Sequence, residues 1–88
     1  MQISQEFKLN NKYIVSVDGW IKGLDYIHLV RILKEYSHRL SIAKSTADKI
    51  LDNESIFLNF DSKDTAIIFF LKLKKIGCSC HFFEERKI

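Results

Sequence analysis

The clearest pattern of apolar and polar positions in the chain lies over residues 61–77. At 100° per residue its core-facing residues share one arc of a helix, namely Ala66, Phe69, Phe70, Leu73 and Ile76. A side-chain oxygen of Asp61 or Ser62 can cap the start of this helix. Gly77 can take the left-handed conformation that ends it. The pattern predicts a core helix around which the rest of the chain is organised.

The same helix carries a second apolar group on its opposite side, which we call the outer arc: Ile67, Ile68 and Leu71. One interpretation is that neighbouring elements cover this flank. The other is that the outer arc is a self-association surface, since exposed apolar patches mark interaction sites. Leu71 lies between the other two residues on the arc, so we expect it at the centre of a homodimer contact.

Further periodic patterns predict three strands and two more helices. Residues 13–17, 55–60 and 78–83 have strand patterns, and residues 24–36 and about 42–52 have helical ones. Ser41 or Ser45 is the expected cap of the second helix, and residues 84–88 are expected to form a charged tail. An additional N-terminal strand could contain Ile3, Phe7 and Leu9. The predicted fold is α+β, a two-layer sandwich of order β-α-α-β-α-β with three helices on one face of a small sheet.

Length and composition predict a single domain over residues 1–88, with a core over about residues 13–83. The 47% of apolar and 28% of charged residues are typical of a folded chain. No apolar run approaches the ~20 residues that span a bilayer, so no membrane partner is expected. The first six residues lack a basic region followed by an apolar stretch, so no secretory signal is expected and the predicted location is cytoplasmic.

Cys78, Cys80 and His81 form the one short cluster of metal-ligating residue types. Zinc sites need about four ligands, and strand alternation sends His81 to the face opposite the cysteines. We therefore expect buried thiols, with no metal and no cofactor. Paired carboxylates, a cysteine beside a base and a glycine-rich phosphate loop are not evident in the sequence, so it predicts no catalytic residue and a protein that is not an enzyme. An enzyme accessory subunit is left as an alternative.

The polar side of the first predicted helix is basic and contains one large apolar residue. Ile27 lies beside Arg31 and Lys34, and His38, Arg39 and Lys44 follow. One interpretation is a solvated helix face. The other is a docking site for an acidic protein surface, formed by Ile27, Arg31, Lys34, His38 and Arg39. A nucleic-acid-binding regulator ranks second: His81 and Phe83 could form a stacking platform, but a net charge of +3 is a weak field.

Two segments resemble a known family. S-I-A-K-S-T-A-D-K-I-L at residues 41–51 is similar to the G-L-G-L-K-E-A-K-D-L-V segment of the C-terminal domain of the bacterial ribosomal stalk protein. S-K-D-T-A at residues 62–66, continuing to K-I-G-C at residues 75–78, resembles that family's S-K-D-D-A…E-E-A-G-A run. The element order also resembles the related adaptor that delivers substrates to the Clp protease. This resemblance covers about residues 13–83 and implies an α+β fold that binds proteins, with Lys34 aligned to the stalk domain's basic factor-binding helix. Lys44 departs from it, because the stalk family has leucine there.

Overall fold

The computed structural model of the protein describes residues 11–86. Its elements are β1 (Asn11–Trp20), α1 (Tyr26–Ser37), α2 (Leu40–Leu51), β2 (Ile56–Phe60), α3 (Lys63–Lys75) and β3 (Cys78–Arg86). The predicted α+β class and the order β-α-α-β-α-β are confirmed. The additional strand predicted around Ile3, Phe7 and Leu9 lies outside the described residues.

The three strands form one antiparallel sheet in the order β2-β1-β3, so β1 is central. Val15 lies opposite Leu58 on one side and Phe82 on the other. The β1–β3 register shifts between Val17 and Gly19, which indicates a bulge at Asp18. The sheet thus has one face turned to the helices and one open face.

The core lies between the inner sheet face and the three helices. The apolar periodicities of the sequence place one stripe of each helix against this face, as predicted. Its buried members are Val15, Val17, Leu29, Ile32, Leu33, Ala43, Ala47, Ile50, Leu58, Phe60, Ala66, Leu73, Cys78 and Cys80. Ala43 and Ala47 have no exposed surface, and α1 packs mainly against α2. Small side chains on α2 therefore allow the two helices to approach closely.

The predicted ends of α3 are confirmed by its capping contacts. The Ser62 hydroxyl accepts a hydrogen bond from the Thr65 N–H at 3.3 Å. Gly77 has a φ of +112°, and a Cβ there would lie 3.1 Å from the Leu24 Cα. Both the backbone angle and the close approach require glycine at this position.

Other element boundaries differ from the prediction. Trp20 lies beyond the strand predicted over residues 13–17, but it ends β1, and its indole N–H donates to the Leu51 carbonyl at 3.2 Å. The predicted tail begins inside β3, because pairing with β1 holds Glu84 and Glu85 in the strand. Neither Ser41 nor Ser45 caps α2, which begins at Leu40 with Arg39 as its N-cap. At the end of β3, pairing with β1 therefore outweighs the polar local sequence.

Candidate functional site

A groove of about 320 Å³ lies on the helical side of the molecule, between α1 and α2. Ile27 is 70% exposed, and Leu40 at the start of α2 is 47% exposed. The residues that line the groove are Tyr26, Ile27, Val30, Arg31, Lys34, Leu40 and Lys44. The site therefore combines an apolar floor with a rim of three positive charges.

A hydrogen bond holds one end of the groove. The Tyr26 hydroxyl donates to Oδ1 of Asp48 at 3.2 Å, which links α1 to α2. Partial desolvation is the main cause that raises the pKa of Tyr26, and the hydrogen bond to the Asp48 carboxylate raises it further. A tyrosine hydroxyl is protonated at neutral pH, so this bond links the two helices there.

The residues predicted as a partner face are only partly brought together. Ile27, Arg31 and Lys34 line the groove, whereas His38 lines an adjoining cleft with Arg31 and Lys34. Arg39, the N-cap of α2, lines neither. His38 has a φ of 64°, which turns the chain sharply between α1 and α2.

The sequence pattern does not predict the apolar floor of the groove. The apolar arc of the helix predicted over residues 24–36 includes Tyr26 and Val30, which predicts them on its inner face, and Leu40 precedes the predicted start of the next helix. If the helical pattern over residues 42–52 is extended by one turn toward the N-terminus, Leu40 lies one turn before Lys44 on the same side of the helix. The meeting of these residues is a tertiary property that the pattern of one helix does not contain.

A larger cleft, of about 540 Å³, lies between α1 and α3. Two pairs of polar side chains lie in contact there: His28 Nδ1 is 2.6 Å from Asp25 Oδ2, and Lys72 Nζ is 3.2 Å from Glu35 Oε1. The hydrogen bond from His28 lowers the pKa of Asp25, which also caps α1 by accepting from the His28 N–H. The residues lining this cleft include no serine, threonine or cysteine that the Asp25–His28 pair could activate.

The open face of the sheet carries exposed aromatic rings. Phe57 is 61% exposed on β2 and Phe83 is 51% exposed on β3, where its ring centroid lies 6.4 Å from that of His81. The expected outward direction of His81 and Phe83 is confirmed. A carboxylate also lies on this side of the sheet, since Asp18 Oδ2 is 3.4 Å from His81 Nε2.

The two thiols are buried and free, as expected. Burial raises the pKa of Cys78 to about 12, with a smaller contribution from Cys80. Burial also raises the pKa of Cys80, against the opposing positive charge of Lys74. Neither thiol is a nucleophile near neutral pH. Among the described residues, no group of three or more His, Cys, Asp or Glu side chains is arranged to hold a metal ion.

The outer arc is largely exposed. Ile68 and Leu71 are 51% and 56% exposed, and Ile67 is half-buried. The surface that the sequence singled out therefore presents two large apolar side chains to solvent, which is the condition that a self-association surface requires.

Comparison of the chain with protein-family models, with curated protein sequences and with solved structures found no significant match. Over residues 11–86, no helix is both long and apolar enough to cross a bilayer.

Proposed function

We propose that this protein is a non-enzymatic protein-binding module that docks an acidic, amphipathic segment of another protein in the groove between α1 and α2. The observation that carries the proposal is that the groove combines apolar lining residues, among them the exposed Ile27, with the positive charges of Arg31, Lys34 and Lys44.

The dimensions of the groove suit a short helix. From Ile27 to Lys34 the groove follows two turns of α1, or about 10 Å. Two turns of an amphipathic helix present apolar residues at positions i, i+3, i+4 and i+7, which match an apolar floor of this length. Acidic side chains beside that stripe would meet Arg31, Lys34 and Lys44, and the charges would raise the association rate and set the orientation.

A nucleic-acid-binding regulator ranks second. Single-stranded nucleic acid needs aromatic stacking and cations along the same path. Here the exposed rings of Phe57 and Phe83 lie on the open sheet face, whereas Arg31 and Lys34 lie on the helical side. Asp18 beside His81 further weakens the attraction of a phosphate backbone for the aromatic face.

The resemblance to the ribosomal stalk domain and to the Clp-protease adaptor belongs to this proposal, since the element order is the one that it implies. We also propose a cytoplasmic location, because two free thiols suit a reducing compartment.

A third part of the proposal is that the outer arc of α3 mediates weak self-association, with Leu71 at its centre.

The test of the groove uses a synthetic acidic peptide with leucines at i, i+3, i+4 and i+7 and glutamates on the flanking positions. Titration followed by NMR should shift the signals of Ile27, Val30 and Leu40, and binding should weaken as salt is added. The double variant Arg31→Glu/Lys34→Glu should abolish binding and change the free energy of unfolding by about 0.5 kcal/mol or less, because both side chains are exposed.

Two controls separate the candidates. A peptide of the same composition with its leucines scrambled should bind at least about tenfold more weakly, since it has no apolar stripe. A single-stranded oligonucleotide should not shift the groove signals. Tight, salt-sensitive binding of the oligonucleotide that shifts Phe57 and Phe83 would replace the proposal with its alternative. Equal binding of the two peptides would show only charge attraction and overturn the groove.

A further inference from the structure

Two contacts between α1 and α3 involve residues that line the larger cleft. The Asp25 N–H donates to the Ile76 carbonyl at 3.2 Å, and Lys72 Nζ lies 3.2 Å from Glu35 Oε1. On α1 these contacts are ten residues apart, or about 15 Å. Because α1 packs on α2 more extensively than on α3, a volume of about 540 Å³ is left between α1 and α3. Clefts of roughly 300–1,000 Å³ are the size that small ligands occupy.

Two apolar side chains line the cleft. Ile32 is 7% exposed and belongs to the core, and Ile76, which packs against that core, is half-buried. Both are less exposed than the charged residues that line the cleft with them. The apolar body of a ligand can therefore displace water from these two side chains, which favours binding.

Both carboxylates of the cleft already have partners within it. One oxygen of Asp25 accepts from the His28 N–H at 3.1 Å, and the other lies 2.6 Å from His28 Nδ1. Glu35 pairs with Lys72. The acidic groups of the cleft are thus engaged by its own residues.

Two cations of the cleft are not engaged in this way. Within the part of the chain that the structure describes, neither Arg31 on α1 nor Lys75 on α3 forms an ion pair. The positive end of the α1 dipole and the negative end of the α3 dipole meet where Asp25 bonds Ile76, so the two dipoles largely cancel there. The net positive charge of the cleft is therefore carried by these two side chains, and it favours an anion.

We propose that the cleft between α1 and α3 binds a small organic anion. Its apolar body covers Ile32 and Ile76, and its phosphate or carboxylate group contacts Arg31 and Lys75. A guanidinium offers paired N–H donors that suit either oxyanion, and an ammonium adds a point charge. The two cations are exposed, so water and salt weaken the attraction, and we expect a dissociation constant near about 1 mM.

This site goes beyond the proposed docking groove and does not rest on it. The cleft and the groove share Arg31 and no other lining residue. A variant of Arg31 would therefore change both surfaces, and Lys75 is the residue that tests the cleft by itself.

Phenyl phosphate and benzoate carry the two candidate anionic groups on the same ring. Titration of each into the full chain, followed by NMR, should shift the signals of Ile32, Ile76 and Lys75, and the tighter ligand identifies the preferred anionic group. Inorganic phosphate supplies the charge without the ring, and benzyl alcohol supplies the ring without the charge. Each of these should bind at least about tenfold more weakly than the tighter ligand.

Lys75 and Lys44 offer a matched pair of variants. Both are exposed lysines on helices, but Lys75 lines only the cleft and Lys44 lines only the groove. Lys75→Gln should weaken binding of the tighter anion at least about threefold, and Lys44→Gln should leave it unchanged. Binding of the acidic peptide in the groove should respond in the opposite way. Far-UV circular dichroism of both variants should match the wild type, because both side chains are exposed.

The remaining outcomes overturn the site. If neither aromatic anion shifts Ile32 or Ile76 at about 20 mM, the cleft binds no such ligand. Equal binding of inorganic phosphate would indicate an adventitious ion only, and equal binding of benzyl alcohol would show that the cations do not select an anion. Equal effects of Lys75→Gln and Lys44→Gln on anion binding would place the anion elsewhere on the basic surface. Failure of the acidic peptide to bind would overturn the groove and leave the cleft unaffected.

Discussion

At the scale of single residues, Arg39 departs from local preference most clearly. It is the N-cap of α2, where serine, threonine, aspartate or asparagine is favoured, and its side chain makes no capping hydrogen bond. Its positive charge also lies at the end of the helix that the macrodipole makes positive. A residue that breaks a local rule without a compensating contact is a candidate for a role in function. Arg39 belongs to the predicted partner face, so that role would be to extend the cationic surface beyond the groove.

The first prediction follows from this cap. Arg39→Asp supplies an acceptor for the first free N–H groups of α2 and reverses an unfavourable charge, so it should raise the free energy of unfolding by about 0.5–2 kcal/mol. Arg39→Ala is the matched control, because it removes the charge without adding an acceptor, and it should fall between the wild type and Arg39→Asp. Urea unfolding measures all three proteins. Destabilisation by Arg39→Asp would contradict this account of the cap.

The second prediction concerns Cys78 and the dependence of the free energy of unfolding on pH. Burial raises the pKa of Cys78 to about 12 in the folded protein, from an ordinary value of 9.0. Because the folded protein holds the thiol proton more tightly than the unfolded chain does, this proton stabilises the fold. Its contribution to the free energy of unfolding is fully present below about pH 9 and is lost as pH rises toward 12. The free energy of unfolding should therefore fall more steeply above pH 9 for the wild type than for Cys78→Ala. A thiol reagent at about pH 8 should label both cysteines slowly in buffer and rapidly in urea. Rapid labelling of the folded protein would show that the strand interior is open.

At the scale of elements, the protein treats its two edge strands differently. β2 is short, and the side chain of Tyr36 on α1 covers its outer edge at Asn59. β3 is longer and ends with charged residues, which commonly discourage unwanted pairing at a sheet edge. The sequence predicts a strand over residues 78–83 and a charged tail after it. In the structure, β3 continues to Arg86, so its first part is apolar and its last part is charged.

The third prediction tests the cover on β2. Tyr36→Phe removes both hydrogen bonds to Asn59 but keeps the ring contacts with Phe60 and Phe69, whose centroids lie 5.2 and 6.1 Å away. The free energy of unfolding should fall by about 0.5–1.5 kcal/mol, because water can replace part of the lost bonding at this exposed edge. The Asn59 N–H should also exchange faster. Tyr36→Leu, which loses the aromatic contacts as well, should cost more; an equal cost would mean that the rings contribute little.

At the scale of the whole molecule, one core serves every element. Buried residues from the sheet and from all three helices belong to a single apolar cluster. Trp20 adds a link between the end of β1 and the end of α2 through its bond to the Leu51 carbonyl. No pair of elements has a separate apolar centre within the described residues, so the domain should lose its structure in one step.

The fourth prediction is that unfolding is two-state. Trp20 fluorescence reports the junction of β1 and α2, and far-UV circular dichroism reports the helices, of 12, 12 and 13 residues. Their urea transitions should have the same midpoint, because small single-core domains unfold cooperatively. The spectrum itself should indicate more helix than strand. An earlier fluorescence transition would mean that the Trp20 end opens separately from the rest of the domain.

Local periodicity was sufficient to determine much of this fold. The core arc of α3, the Ser62 and Gly77 caps and the shared inward direction of Cys78 and Cys80 are all readable from neighbouring residues, because side-chain direction repeats every 3.6 residues in a helix and every two in a strand. The isolated positions of Ile27 on α1 and Leu71 on α3 were predictable for the same reason. The prediction was least accurate where an element's end depends on a distant partner, as at Trp20 and Glu84.

Tertiary structure alone decided which exposed residues lie together. No sequence pattern states that Ile27 and Leu40, on two helices, line one groove. Nor does any pattern state that Tyr36 on α1 covers the edge of β2 at Asn59. These relations join residues far apart in the chain, and they arise from the strand order β2-β1-β3 and the packing of α1 on α2. The sequence determined which residues face inward, and the packing of elements determined which outward-facing residues stand together.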